Sequence, residues 1–299
     1  DLGVEIVGFV DADPHRVGQP VFNPGVIGTI DDIPTIVRTK GIDKVVVSLV
    51  DARGKLPMEK LLDMRIAGVE FEHLASVYEE YTGKIAVENL RPSWLIFNSG
   101  FNRSSWRQTV KRGLDVAVAL VGLIILAPVL ALLALIVMLT SGGSALYSQE
   151  RVGLNGRVFV VHKLRSMVKD AEATTGAVWA QRDDSRITPI GRVMRRTRLD
   201  ELPQLWNVLR GDMALVGPRP ERPEFVEALE RQIPFYGQRH VVKPGITGWA
   251  QVRYTYGATV EDALEKLQFD LFYIKNFSLS LDLVIIFETI KTVELRRGV

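Results

Sequence analysis

Hydrophobic residues are concentrated in one long run near the middle of the chain. Residues 116–139 contain no charged side chain and consist mainly of leucine, isoleucine, valine and alanine. An uncharged run longer than about 18 residues predicts a helix that enters a membrane. Pro128 lies near its centre, where the missing N–H and the clash of the ring with the preceding turn predict a kink. The run therefore predicts either a spanning helix or a re-entrant helix broken at Pro128.

Basic residues flank this run on both sides. They are Arg103, Arg107, Lys111 and Arg112 before it, and Arg151, Arg157, Lys163 and Arg165 after it. Lysine and arginine close to a membrane segment mark its cytoplasmic end. Positive charge at both ends favours the re-entrant interpretation, in which both ends return to the cytoplasmic face.

Before the run, short apolar stretches alternate with helical patterns. Helices are predicted at residues 33–40 and 58–66, and strands at residues 4–10, 45–49 and 69–74. Such alternation is typical of a parallel α/β sheet. Asp11 follows the first strand, where a dinucleotide-binding fold would bind a ribose hydroxyl, but the sequence lacks the glycine-rich turn before it. A cap or turn role for Asp11 is therefore favoured. Because the chain opens at Asp1 almost directly on a strand, we expect it to be part of a longer polypeptide.

After the run, a glycine-containing turn separates two predicted strands. Side chains alternate along a strand, so Lys163 and Arg165 in the second strand should share one face. Two neighbouring cations suit an anionic ligand. A solvated basic edge strand, which protects a sheet against aggregation, explains the same two residues.

A dense arginine cluster precedes two adjacent carboxylates, Asp200 and Glu201. The cluster consists of Arg192, Arg195, Arg196 and Arg198. Pro203 and Gly211 predict a helix that begins near Asp200, so both acids could simply cap its positive end. Two carboxylates do not need this many arginines, and a phosphate-bearing ligand would account for the excess. The arginines are also expected to lower the pKa of a carboxylate and keep it ionised as a nucleophile.

Three further features lie downstream. Arg219 stands between two prolines, which restrict the backbone and orient its side chain at little entropic cost. Residues 243–251 predict a turn-rich loop in which Trp249 is an aromatic of the exposed type. Residues 260–297 predict two amphipathic helices, whose apolar stripes indicate either core packing or a helix that lies in the membrane interface.

The composition narrows the possible chemistry. The 299 residues include no cysteine, which excludes disulfides, thiolate zinc sites, iron–sulfur clusters and cysteine nucleophiles. The four histidines are scattered without the spacing of metal ligands. A net charge of +2 is too small for a protein that coats nucleic acid, so no nucleic-acid partner is expected. The mean hydropathy of +0.11 is high for a chain with 24% charged residues, and the central run accounts for it.

Several short motifs follow one another between residues 107 and 299. They are Lys111-Arg112 with Asp115, the proline-interrupted run, Arg151/Gly153/Gly156/Phe159, the segments Lys163 to Met167 and Leu199 to Leu205, Gly217 to Pro220, and Pro244 to Gln251. In this order they resemble the bacterial sugar transferase family. These are monotopic polyprenyl-phosphate phosphoglycosyl transferases, which start exopolysaccharide and O-antigen synthesis.

The resemblance implies an α/β Rossmann-like domain followed by an α+β, membrane-associated catalytic domain with a re-entrant broken helix. The expected domains are residues 1–98, Rossmann-like with a regulatory or structural role; residues 99–143, a basic connector and the re-entrant helix broken at Pro128; and residues 144–299, the catalytic domain. The family places the catalytic domain on the cytoplasmic face of the bacterial inner membrane.

The resemblance also implies a two-step transfer from a UDP-sugar, such as UDP-glucose or UDP-galactose, to undecaprenyl phosphate. Asp200 would attack the sugar-bearing phosphorus, release UMP and carry the phosphosugar covalently, and Glu201 would complete the catalytic dyad. Phosphate oxygens would be bound by Arg195, Arg219, Lys163 and Arg165. Mg²⁺ would bridge Asp200 and the substrate pyrophosphate.

Two positions depart from the family pattern. Leu164 replaces a usual aromatic and Arg198 a usual small polar residue, which bears on sugar recognition. Two other functions stay open: a nucleotide-binding oxidoreductase or sensor built on residues 1–98, and a non-catalytic membrane scaffold. Membrane lipid is an expected partner, a homodimer remains to be tested, and the sequence does not identify the sugar.

Overall fold

The computed structural model describes residues 4–20, 23–48, 57–87, 104–141, 143–169, 171, 184–254, 257 and 259–294. The chain forms two compact units, Asp1–Thr82 and Gly83–Val299. Residues 88–103, which include Arg103 and the domain boundary predicted at residue 98, lie outside the described residues.

The described residues of the first unit include two pairs of parallel strands. β1 (Phe9–Asp11) pairs with β2 (Val26–Thr29), and β3 (Lys44–Val47) pairs with β4 (Glu70–His73). The helices are α1 (Ile33–Lys40), α2 (Met58–Ile66) and α3 (Leu74–Thr82). A small core packs α1 against α2 and consists of Ile33, Val37, Leu61 and Met64.

The helices predicted at residues 33–40 and 58–66 and the parallel strand pairing are confirmed. Residues 4–8 lie outside the first strand, and β2 was not predicted because four residues are too few for alternation to identify a strand. The described strands form two separate pairs rather than one continuous sheet, so a Rossmann-like fold is not confirmed.

Asp11 belongs to a local turn of the first unit. Its carboxylate accepts the backbone N–H of Asp13 at 3.0 Å and a guanidinium N–H of Arg16 at 2.8 Å. These contacts confirm the turn role that the sequence favours for Asp11.

One long helix, α4 (Ser105–Ser141), contains the whole apolar run. It has 37 residues and is, within the described part of the chain, the one helix long and apolar enough to cross a membrane. Only 6% of its most apolar window is buried by the rest of the protein. The helix continues through Pro128, so the proline does not divide the run into two separate helices. A single proline removes one backbone hydrogen bond, and the neighbouring turns keep theirs.

Both halves of α4 pack against the rest of the second unit, to which the helix itself belongs. Ala119, in the first half, is fully buried in a cluster that also contains Leu205. Val137, in the second half, is fully buried in a different cluster with Leu164 and Met194. The two halves therefore contact one compact body.

Charged side chains hold the N-terminal part of α4. Lys111 Nζ lies 2.8 Å from Asp282 Oδ2, and both side chains are buried. Arg112 donates hydrogen bonds to the carbonyl oxygens of Val208 at 2.6 Å and Leu209 at 2.8 Å. These carbonyls belong to the last turn of the helix that follows the Asp200-Glu201 pair, and that of Val208 also accepts the backbone N–H of Gly211 at 3.1 Å. Arg112 therefore ties α4 to the C-terminal end of that helix.

The described strands of the second unit form an antiparallel hairpin and a parallel pair. β5 (Leu146–Val152) and β6 (Val158–Leu164) are antiparallel, as predicted, and Asn155 and Gly156 close their turn with φ values of 55° and 76°. β7 (Ala214–Val216) and β8 (Gly245–Thr247) pair in parallel. Beside them, a Cβ atom on Gly217 would lie 2.4 Å from the carbonyl oxygen of Lys243, so this close backbone approach requires glycine.

The remaining helices complete the second unit. They are α5 (Pro189–Arg196), α6 (Gln204–Arg210), α7 (Pro223–Glu230), α8 (Trp249–Arg253), α9 (Val260–Lys275) and α10 (Leu279–Glu294). The last two confirm the predicted helix pair. α9 packs its apolar stripe into the main core, whereas α10 buries Ile285 and leaves Leu283 and Phe287 exposed.

The interpretation of Trp249 as an exposed aromatic is wrong. Its side chain is buried, stacks on Phe272 with ring centroids 5.7 Å apart, and donates its Nε1 hydrogen to the carbonyl oxygen of Gly83 at 2.8 Å. A tryptophan can be buried fully when its one polar atom finds a partner.

Candidate active site

The Asp200-Glu201 pair lies in a short 3-10 turn, Leu199–Glu201, in front of α6. Pro203 occupies the N-cap position of α6, and Gly211 ends the helix with a φ of 99°. The predicted helix is therefore divided into a tight turn that carries both acids and a regular helix behind them. Arg198 precedes the turn in the left-handed region, with a φ of 58°, a conformation that costs an ordinary residue energy and often marks functional sites.

Glu201 is a buried anion bound by three cations. Its Oε1 atom lies 2.8 Å from Lys163 Nζ and 2.6 Å from Arg219 Nη2, and its Oε2 atom lies 3.5 Å from Arg198 Nη1. Burial opposes ionisation, but the charges of Arg219, Lys163 and Arg198 hold the pKa of Glu201 well below its ordinary value. Glu201 is therefore a permanent negative charge that positions the surrounding cations.

Asp200 is buried beside Glu201 and has a different environment. Its carboxylate makes no hydrogen bond or ion pair with the residues that the structure describes. Burial and the neighbouring charge of Glu201 raise its pKa, and the charges of Lys163, Arg195 and Arg219 oppose this rise.

The sequence-based expectation that arginines lower the pKa of a carboxylate therefore holds for Glu201. At Asp200 the arginines act in the same direction, but burial and the charge of Glu201 outweigh them, so the expected lowering of the pKa of this carboxylate is wrong. The reason is that Glu201 accepts the direct contacts of the cations, whereas Asp200 experiences burial and repulsion from Glu201. A desolvated carboxylate without a hydrogen-bond partner is well suited to attack an electrophile.

Asn207 fixes the strand that carries Lys163, and the sequence reasoning missed it. Its side chain is fully buried, accepts the backbone N–H of His162 at 3.2 Å and donates to the carbonyl oxygen of Val160 at 2.7 Å. One side-chain amide thus pairs with a backbone N–H and a backbone carbonyl oxygen of β6 and ties this strand to α6. An asparagine among apolar residues of a short helix was the available signal.

A buried group of side chains holds the backbone of Arg219. Arg239 donates to the carbonyl oxygen of Arg219 at 2.9 Å, to Asp270 Oδ2 at 2.8 Å and to the Tyr236 hydroxyl at 2.6 Å. Burial raises the pKa of Asp270 to about 6, although Arg239 opposes this change. These residues lie far apart in sequence, so no local pattern indicated them.

Arg195 and Arg165 were both predicted to bind phosphate, but only Arg195 lies where its charge acts on the acids. Arg195, in the last turn of α5, donates its Nε hydrogen to Ser166 Oγ at 2.8 Å, and its charge acts on Asp200. Arg165 lies beyond the end of β6, and its guanidinium is so close to Gly143 that a Cβ atom there would lie 2.0 Å from Nη1. The structure thus brings Lys163, Arg195 and Arg219 around the acids and gives Arg165 no contact with them among the described residues.

The residues around Asp200 fit a metal ion only if the substrate shares it. No group of three or more histidine, aspartate or glutamate side chains that could hold a metal occurs among the described residues. Glu201 is occupied by cations, which leaves the Asp200 carboxylate as a single protein ligand. Mg²⁺ is commonly held in this way, by one or two carboxylates together with substrate phosphates and water.

Comparison with known proteins gives consistent matches. Residues 106–296 match the model of the bacterial sugar transferase family. The chain is 41% identical over 228 residues to the UDP-N-acetylgalactosamine-undecaprenyl-phosphate N-acetylgalactosaminephosphotransferase of Aeromonas hydrophila, an alignment that covers 76% of this chain and 53% of that protein. It is 40% identical over 276 residues to the undecaprenyl-phosphate glucose phosphotransferase of Komagataeibacter xylinus, covering 88% of this chain and 51% of that protein.

A third relative is covered almost completely. The exopolysaccharide production protein PSS of Rhizobium leguminosarum bv. phaseoli is 42% identical over 194 residues, which are 63% of this chain and 96% of that protein. By contrast, the chain spans about half the length of the Aeromonas and Komagataeibacter proteins. The family match extends over well over half of the chain and includes the buried acids and their cations. The chain belongs to the bacterial sugar transferase family.

Proposed function

We propose that the second unit transfers a sugar 1-phosphate from a UDP-sugar to undecaprenyl phosphate and releases UMP, as the first membrane step in the synthesis of an exopolysaccharide or O-antigen. The observation that carries this proposal is the buried Asp200 carboxylate, which has no hydrogen-bond partner among the described residues and faces the charges of Lys163, Arg195 and Arg219. A carboxylate nucleophile beside three cations is well placed to attack a pyrophosphate, because the cations neutralise the charge on the phosphate oxygens.

In the first step, an Asp200 carboxylate oxygen attacks the phosphorus that bears the sugar. A bond forms between this oxygen and phosphorus, and the bond from phosphorus to the bridging pyrophosphate oxygen breaks, so that UMP leaves with the bond electrons. Lys163, Arg195 and Arg219 neutralise the charge on the phosphate oxygens. Phosphoryl transfer depends mainly on such positioning and neutralisation.

In the second step, a phosphate oxygen of undecaprenyl phosphate attacks the same phosphorus. The bond from phosphorus to Asp200 breaks, which regenerates the carboxylate and forms a lipid-linked sugar pyrophosphate. Glu201 makes no covalent bond in either step. Its ion pairs with Lys163 and Arg219 hold these cations in place when substrates and products exchange.

We include Mg²⁺ as a cofactor shared with the substrate. When bound, it would neutralise pyrophosphate oxygens and lower the barrier to loss of UMP. Asp200 is the protein ligand that the site offers.

The donor sugar belongs to the hexose class named in the relatives, but one sugar is not favoured over another. The name of the Aeromonas relative includes N-acetylgalactosamine, and the name of the Komagataeibacter relative includes glucose. This chain is almost equally identical to both, at 41% and 40%. UDP-glucose, UDP-galactose and UDP-N-acetylgalactosamine are therefore the donors to test first.

We further propose that α4 is re-entrant and that the catalytic unit lies on the cytoplasmic face of the inner membrane. The support is that Ala119 and Val137, in opposite halves of α4, are both buried against the same unit. A helix that crossed a hydrocarbon core of about 30 Å would carry its second half away from that unit. Lys111 and Arg112 at one end and Arg151 beyond the other favour the cytoplasmic face.

A nucleotide-dependent function of the first unit receives no support from Asp11. Its carboxylate is engaged by Asp13 and Arg16 rather than directed at a ligand. We assign this unit a structural or regulatory role.

The decisive experiment separates the first step from the second. Protein reconstituted in lipid nanodiscs with Mg²⁺ and a UDP-sugar panel, without lipid acceptor, should release one UMP per active site and gain the mass of a sugar phosphate on the peptide that contains Asp200. Asp200→Asn should abolish both signals, and Asp212→Asn, beyond the C-terminal end of α6, should retain them. UMP release by Asp200→Asn at the wild-type rate would contradict the proposal.

A further inference from the structure

A cleft of about 250 Å³ lies next to the catalytic acids and between two helices. Its apolar walls include Val118 of α4, Leu205 of α6 and Ile286 of α10, and its charged lining residues are Arg198 and Glu201. Uncharged polar side chains also contribute, namely Thr247, Gln251, Thr289 and Thr292. The cleft thus combines apolar walls with a charged pair that belongs to the catalytic acids and their cations.

Arg198 is the least engaged of the three cations around Glu201. Its Nη1 atom lies 3.5 Å from Glu201, whereas Lys163 and Arg219 approach to 2.8 and 2.6 Å. A guanidinium carries five N–H donors, and the contact with Glu201 involves one nitrogen. Its side chain is 35% exposed, so Arg198 can bind a phosphate that enters the cleft.

The apolar walls of the cleft continue into a lipid-compatible surface. Val118 lines the cleft, and 52% of it is still exposed. It belongs to α4, and only 6% of the most apolar window of this helix is buried by the rest of the protein. On α10, Leu283 and Phe287 next to the cleft wall are exposed as well. A chain that leaves the cleft along this surface would enter the hydrocarbon region that α4 occupies.

We propose that this cleft is the acceptor site, in which Arg198 binds the phosphate of undecaprenyl phosphate and the first isoprene units lie between α4 and α10. This inference rests on the proposed function and assigns its second substrate a location. Pockets for small molecules commonly have about 300–1,000 Å³, so a cleft of about 250 Å³ suits the phosphate end of a long lipid better than a complete UDP-sugar.

A second cavity, of about 550 Å³, serves as the internal comparison. It lies between the later part of α4 and the hairpin, and its lining includes Leu130, Ala134 and Trp206. No lysine or arginine contributes to this lining among the described residues. His162 is the ionisable residue of this lining, and its Nδ1 atom already lies 3.0 Å from the hydroxyl of Ser148. The second cavity therefore lacks a permanent cation, and charge favours the smaller cleft.

The first test fills each cavity in turn and measures the two steps separately. Thr289→Phe should raise the KM for undecaprenyl phosphate at least fivefold and change the acceptor-independent release of UMP less than twofold. Ile290→Phe adds a similar ring at the next position of α10, where the side chain is 53% exposed, and should change neither quantity. Ala134→Phe, in the second cavity, should also leave the KM for the acceptor unchanged.

The second test addresses the phosphate contact. Arg198→Ser should raise the KM for undecaprenyl phosphate more than it slows UMP release, and Arg198→Lys should restore part of the affinity because it keeps the charge. The difference in the KM for undecaprenyl phosphate between Arg198→Ser and the wild type should become smaller at high salt, because salt weakens the ionic contact of Arg198 in the wild type.

The outcomes distinguish this inference from the proposed function. Absence of acceptor-independent UMP release from the wild type would refute the proposed function itself. Normal UMP release together with an unchanged acceptor KM in Thr289→Phe, or a raised KM in Ala134→Phe alone, would refute the acceptor cleft. If Thr289→Phe does not fold, Ile286→Phe narrows the same cleft and decides the question in the same way.

Discussion

The Nη2 atom of Arg219 lies 2.6 Å from the Oε1 atom of Glu201, and this contact gives the two adjacent acids different electrostatic environments. Glu201 is held ionised by direct ion pairs, whereas Asp200 has a raised pKa because it is buried beside that fixed negative charge. Two carboxylates with such divided environments can act as one positioning anion and one nucleophile.

Replacement of Glu201 should affect both stability and catalysis. Glu201→Gln leaves Lys163 and Arg219 without their buried counter-charge, and loss of one partner of a buried ion pair costs about 3–5 kcal/mol. We expect a clearly lower thermal unfolding midpoint and at least a tenfold slower release of UMP. Glu227→Gln, on an exposed salt bridge, is the matched control and should behave like wild type. Wild-type stability of Glu201→Gln would show that the cations do not depend on this anion.

The rate of the first step should fall at acidic pH. In the proposed first step Asp200 must be ionised to attack, and burial raises its pKa above the ordinary aspartate value of about 3.9. The rate of a single turnover should therefore decline as the pH falls through this raised pKa. Arg195 lowers the pKa of Asp200, so Arg195→Met should move the acid limb to higher pH.

Arg196→Met provides the control for this pH profile. Arg196 lies next to Arg195 but is exposed, and it is not among the groups that act most strongly on the pKa of Asp200. Its acid limb should coincide with that of the wild type. A shift of the limb to lower pH in Arg195→Met would contradict the assigned electrostatics.

Arg239 should act as a positioning residue for Arg219. Arg239→Lys keeps the positive charge but cannot reproduce the planar set of contacts with Asp270, Tyr236 and the Arg219 carbonyl oxygen. We expect the KM for the UDP-sugar to rise severalfold and kcat to fall less. Arg231→Lys, at an exposed ion pair, should change neither constant. If KM rose and kcat fell by the same factor, the result would indicate a general loss of structure instead of a positioning role.

The topology of α4 can be tested by labelling, because the chain contains no cysteine. Cysteines introduced at Ser104 and Ser144, on either side of α4, should both react with a membrane-impermeant maleimide from the cytoplasmic side only. Thr197→Cys, exposed in the catalytic unit, marks that side. Reaction of the two flanking cysteines from opposite sides would show that α4 spans the membrane.

Local patterns in the sequence were sufficient for several elements. The uncharged run predicts α4, the glycine turn predicts the hairpin β5–β6, and Pro203 with Gly211 predicts a helix behind the two acids. These predictions succeed because helix entry, turns and membrane insertion depend on residues that are close in the chain. The order of the motifs also identifies the family, since the residues of each motif are contiguous.

Only the tertiary structure decided how the charges are distributed. Lys163, Arg198 and Arg219 come from separate segments and meet at Glu201, Asn207 connects β6 to α6, and Arg165 is directed to Gly143 instead of the acids. The pKa values of Asp200 and Glu201 diverge because burial and charge at each carboxylate depend on these long-range contacts. By itself, the sequence determined which ionisable groups are present. Folding determined that Glu201 is neutralised by direct contacts with cations and that Asp200 makes no such contact among the described residues.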